Sequence, residues 1–181
     1  MNEEFQVTDE VVIEGLSEVK ETKATVPAAS AVLFRVSQAA TDASPDGSVK
    51  RLNVTAVLVE GIDTPEKDEA GSFTGQVVKK FQNKPMFIRV PYWADTTVRT
   101  KAWYTAKNRP FLVPFKQLIS ALGYDVKEKV ILNDQLLSEI IGREFRADIR
   151  LRPAQAKNPE TGAYEDIPGE FNNEVVKFKA A

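Results

Sequence analysis

From Val26 onward, apolar and polar residues alternate along much of the chain. In AVLFRVSQAA (31–40), Val32, Phe34 and Val36 share one face and Arg35 and Ser37 the other, the period-two pattern of a half-buried strand. SPDG (44–47) has Pro second and Gly fourth, as a type I turn favours. SVKRLNVTAVLVEG (48–61) alternates again and puts Leu52, Val54, Ala56 and Leu58 on the side that pairs with the first strand. Together these pieces predict a β-hairpin. GIDTPEKDEAGSFTG (61–75), polar and interrupted by Gly and Pro, predicts a mobile loop. PMFIRVPYW (85–93) predicts a third strand, with Phe87, Ile88 and Val90 expected in the core. TVRTKAWYTA (97–106) predicts a fourth, forming an extra β-ribbon.

The period then lengthens. PFKQLISALGYD (114–125) starts on Pro, carries Phe115, Leu118, Ile119 and Leu122 at helical spacing and stops at Gly123. NDQLLSEIIG (133–142) repeats the design, with Asn133 or Asp134 as N-cap and Gly142 as stop. REFRADIRLRP (143–153) returns to alternation. Phe145, Ala147, Ile149 and Leu151 are expected to face in, and Glu144, Arg146, Asp148, Arg150 and Arg152 out. KNPETGAYEDIPGEFNN (157–173) predicts a turn-rich connection, and EVVKFKA (174–180) a final strand. Three strands, helices and two closing strands is the order of the OB-fold, a small Greek-key barrel that binds oligonucleotides across its face and loops. The expected fold is therefore mainly β with short helices: an OB-like barrel over 26–181, with one or two helices between strands 3 and 4. An acidic, flexible segment over 1–25 precedes it. Other small barrels and sandwiches share this order of elements.

The 181 residues include neither Cys nor His. That excludes disulfides, thiolate metal sites, and the usual general base and metal ligand. GSFTGQVVKK (71–80) lacks the Gly-Lys-Ser/Thr ending of a phosphate-binding loop, and DTPEKDE (63–69) lacks the spaced oxygen ligands of a calcium loop. No carboxylate pair stands in a context that predicts acid–base chemistry. An enzyme is not expected, nor a metal or cofactor. No apolar run reaches the roughly 18 residues of a membrane span, and the acidic N-terminus is unlike a signal peptide. A cytoplasmic protein is expected.

Charge changes the picture through its distribution. The formal net charge is only −2. Residues 1–21 nevertheless hold seven acids against Lys20, and residues 76–116 hold nine cations against Asp95 alone. The second window also contains eight of the sixteen aromatics, including both tryptophans. Tyr92–Trp93 and Trp103–Tyr104 are adjacent pairs in expected strands, so one member of each pair must point away from the core. Exposed rings beside cations suit single-stranded nucleic acid, because bases stack on rings while cations track phosphates. The candidate stacking residues are Tyr92, Trp93, Trp103 and Tyr104. The candidate phosphate contacts are Arg89, Arg99, Lys101, Lys107 and Arg109, with Arg146, Arg150 and Arg152 as a second group. The same features also fit a core with a solvated basic edge, or a protein interface.

The stretch from Val26 to Ala181 resembles single-stranded DNA-binding proteins of tailed bacteriophages, from their replication and recombination gene clusters. The resemblance rests on VPAASAVLFRVSQAATDASPDGSVKRLNVTAVLVEG, on SALG, and on LLSEIIGREFRADIRLRP followed by NNEVVKFKAA. Its most distinctive part is Ile-Gly-Arg-x-Phe-x-Ala opening a strand, with Asn before the last strand. It implies an OB-like fold and sequence-independent coating of single-stranded DNA. It also implies phage replication or recombination proteins as partners, and a homo-oligomer is a further candidate. Many such proteins end in an acidic tail, whereas this chain ends KFKAA and is acidic at its start. The alternatives are a phage structural or assembly β-sandwich whose basic aromatic ribbon is a protein–protein interface, and, more distantly, an RNA-binding regulator.

Overall fold

The computed structural model describes residues 25–95, 110–127 and 129–181. The acidic segment before Thr25 and the strand expected over 97–106 lie outside them. Seven strands are described: β1 (Ala29–Ala43), β2 (Val49–Leu58), β3 (Ile62–Lys67), β4 (Phe73–Lys80), β5 (Pro85–Ala94), β6 (Glu144–Lys157) and β7 (Tyr164–Ala180). Two short helices, α1 (Val113–Ala121) and α2 (Asp134–Ile140), lie between β5 and β6. Five strands form an antiparallel sheet in the order β5-β2-β1-β6-β7, and β3 and β4 form a separate two-stranded ribbon. The five-stranded ladder does not close. β5 and β7 are its two edges.

The β1–β2 hairpin follows from its pattern and its turn. Gly47 N–H donates to the Ser44 carbonyl at 2.7 Å, and Gly47 has φ +67°, a conformation only glycine adopts without strain. Phe34, Val36, Leu52, Val54, Ala56 and Leu58 are buried on one face, joined by Met86, Ile88 and Val90 of β5 and by Phe145, Ala147 and Ile149 of β6. Phe34 lies opposite Phe145, and their rings stack at 5.4 Å. Leu118, Ile119 and Leu122 from the first helical segment, with Leu136 and Ile140 of α2, complete this cluster.

The Ile-Gly-Arg-x-Phe stretch works as a junction. Asn133 caps α2 by accepting from Leu136 N–H at 2.9 Å. Gly142 takes φ +84° and donates to the Val36 carbonyl. Arg143 donates to the carbonyls of Leu122 (2.7 Å) and Glu139 (3.2 Å). One cation therefore satisfies carbonyls near the ends of both helices, where the helix dipole favours positive charge.

Two expected loops are strands instead. Residues 62–80 hold the β3–β4 ribbon, turned at Asp68, which accepts from Ser72 N–H. The expected connection over 157–173 is mostly β7, which pairs with β6 out to Lys157–Tyr164 around a tight turn. Backbone pairing across a hairpin overrides the polar composition that suggested loops. Leu151, expected to face in, is exposed because β6 there has left the core and continues as a two-stranded arm. Val26, where folded structure is expected to begin, is fully buried. The Asn173 side chain brackets it, accepting from Val26 N–H at 3.0 Å and donating to its carbonyl at 2.7 Å.

Candidate nucleic-acid interface

On β5, Met86, Ile88 and Val90 point inward while Phe87 and Arg89 point to solvent. Phe87, expected in the core, is 78% exposed. The reason is phase: Arg89 lies two residues away on the same face, and a cation there needs water. Opposite them on β2 stand Thr55 and Asn53, and Arg89 Nε donates to Asn53 Oδ1 at 3.1 Å.

A register shift between Lys50 and Arg51 then breaks the alternation of β5. Pro91 lies opposite Arg51, Trp93 lies opposite Lys50, and Tyr92 is the extra residue between. Tyr92 is packed against the core, with its ring 6.0 Å from that of Phe115. Expected as a stacking platform, it is half-buried, with part of its ring taken up by packing. Trp93 is 42% exposed, with Lys50 Nζ 5.2 Å from its ring centroid. One of the pair does point away from the core, and it is the tryptophan.

Near the β1–β2 turn, acids are tied up locally. Asp46 accepts from the hydroxyls of Ser44 and Ser48 and from Ser48 N–H, which holds its carboxyl at about 2. Asp42 pairs with Arg51 at 2.9 Å, and its carboxyl is held below the usual range by Asn53 first and Arg51 second. Lys50 and Arg89 have no ion-pair partner among the described residues.

The second group of cations is placed differently. Arg146, Arg150 and Arg152 project outward from β6 as expected, but two strands, β1 and β2, separate β6 from β5 in the sheet. Acids interleave with them. Glu144 binds Arg35 at 2.7 Å, Asp148 binds Lys177 at 3.1 Å, and Glu174 lies 3.9 Å from Arg152. Arg146 itself donates to the Ala31 carbonyl. Arg99, Lys101, Trp103, Tyr104, Lys107 and Arg109 lie outside the described residues.

Sequence reasoning missed Phe87 and Lys50. Phe87 had a legible signal, the phase it shares with Arg89; Lys50 reaches Trp93 through cross-strand register, which carries no local signature. The edges of β5 and β7 meet at a groove of about 330 Å³, lined by Phe87–Pro91, by Asn173–Phe178 and by Pro114 and Gln117 of α1. No helix among the described residues is long and apolar enough to cross a membrane. Comparison with models of known protein families and with curated proteins gives no match.

Proposed function

We propose that this protein binds single-stranded DNA without sequence preference, along the exposed surface of β5 and β2, and protects it during phage replication or recombination. The observation that carries this reading is the outer side of β5. Phe87 stands bare at one end, Trp93 stands over Lys50 at the other, and Arg89 lies between them. Six steps along the strand separate the two rings, about 20 Å at strand rise, room for a few stacked nucleotides. Stacking on rings is sequence-tolerant because every base has a flat face, and cations placed between rings meet the phosphates.

The strand order supports an OB-like reading. The order β5-β2-β1-β6-β7, with helices between β5 and β6, is compatible with a five-stranded OB arrangement left open between β5 and β7, and in such a fold the binding face falls on the second and third strands, which would be β2 and β5. A second reading, an assembly protein, is favoured by the β3–β4 ribbon, where Phe73 and Val77 stand 68% and 64% exposed. Fluorescence titration with oligo(dT) separates the two. The DNA-binding reading requires quenching of tryptophan emission that saturates with oligonucleotide and is weaker with duplex. Self-association without any oligonucleotide response would overturn it in favour of assembly.

A further inference from the structure

A second apolar patch lies beside the proposed site. On the arm formed by β6 and β7, Leu151 stands opposite Asn173 and Pro153 opposite Phe171, which places Leu151, Pro153 and Phe171 on one face. Leu151 is 44% exposed and Phe171 49%. Phe171 and Phe87 line a common cavity of about 320 Å³, and Thr25 and Lys84 line it too. The patch therefore runs from the arm to the outer ring of β5. Isolated apolar residues are ordinary on a surface, but a contiguous patch marks a contact.

The chain itself arrives at this patch. Val26 is fully buried and held by Asn173, so the 24 residues before Thr25 are tethered at the mouth of the cavity. Those residues include Val11, Val12, Ile13, Leu16 and Val19, interspersed with Glu10, Glu14 and Glu18. The six steps from Val19 to Thr25 span up to about 20 Å, enough to reach Phe87, Leu151 and Phe171. Across residues 1–24, seven acids face only two lysines, and Lys84 and Arg89 stand on the β5 side of the patch. Glu174 lies on the other side, close to Arg152.

We infer that residues 1–24 dock, within their own chain, on the patch formed by Phe87, Leu151, Pro153 and Phe171. Apolar residues of the segment cover the rings, and its acids meet Lys84 and Arg89. A short tether gives the segment an effective concentration on the order of millimolar, so weak contacts hold it in place. If the DNA-binding reading above is right, on which this one consequence rests, DNA must displace the segment from Phe87.

The chain has no cysteine, so Ser17→Cys carries a single nitroxide label on the full-length protein. Docking requires paramagnetic broadening of amides near Phe87, Leu151 and Phe171, unchanged on dilution and abolished by Phe171→Asp. Broadening that is absent, or spread evenly over the surface, would overturn it. So would broadening of unlabelled protein mixed with labelled protein, which would make a second copy the occupant. Oligo(dT) titrations of the full chain and of a chain lacking residues 1–24 then test displacement. The truncated chain should bind at least threefold more tightly at low salt, with the gap closing as salt screens the acids. Equal affinity at every salt concentration would overturn displacement. Broadening at the patch with no oligonucleotide binding by either chain would leave docking standing and overturn the DNA-binding reading.

Discussion

Tyr92 and Trp93 are neighbours with opposite fates, and single substitutions separate them. Phe87 and Trp93 face water, so Phe87→Ala is expected to leave stability within about 0.5 kcal/mol of the parent in a urea melt. In the same variant, oligo(dT) binding should weaken by about 1–3 kcal/mol, roughly 5- to 150-fold. Tyr92→Ala removes a ring packed on Phe115 and should cost about 2–4 kcal/mol of folding stability. Equal destabilisation by both alanines would show that Phe87, like Tyr92, is a packing residue. Asp46 gives a pH signature. Its folded value of about 2 lies below the ordinary 3.8, so the carboxylate's contribution to stability is fully present above the ordinary value and is lost as pH falls through about 2. Asp46→Asn should flatten the stability profile between those two pH values, and an unchanged profile would show that the turn does not depend on the charge. The turn itself was legible, because Pro45 fixes its own φ and Gly47 admits the positive φ that the turn needs. Which of Tyr92 and Trp93 faces out was not, because a bulge set by pairing with β2 decides it.

At the scale of elements, one side chain joins parts distant in sequence. Asn173 satisfies both backbone groups of Val26, 147 positions away. Asn173→Ala leaves a part-buried N–H and C=O without these partners and is expected to cost about 1–3 kcal/mol. Asn173→Asp keeps the acceptor, loses the donor and should fall between the parent and Ala. Hydrogen exchange at Val26 should accelerate in both variants, and slow exchange retained there would refute the bracket. The helices could be placed from Pro114, Asn133, Gly123 and Gly142, since capping is chemistry of adjacent residues. The β3–β4 ribbon and the outer half of β7 could not. β4 and the outer half of β7 are largely exposed on both faces, and pairing rather than burial defines them.

For the whole molecule, salt is the informative variable. Each phosphate neutralised on a single strand contributes roughly −0.7 to the slope of log affinity against log salt concentration. Lys50, Lys84 and Arg89 with one further cation from 99–109 give a slope of about −3. Binding indifferent to salt, or equal on duplex, would remove the proposed interface. Alternation, turn residues and helix caps act over a few positions, so the sequence by itself determined the β1–β2 hairpin, the inward set of β2 and most of β6, and both helices. It also determined that cations and rings crowd one window. The tertiary structure alone decided which strands are neighbours, that β5 and β7 face each other without a hydrogen-bonded ladder, and that Arg146 lies three places from Arg89 across the sheet. It also brought the outward Phe87 beside Phe171. Each of these depends on pairing between residues far apart in the chain, and the energy of such pairing has no trace in the local pattern of either strand.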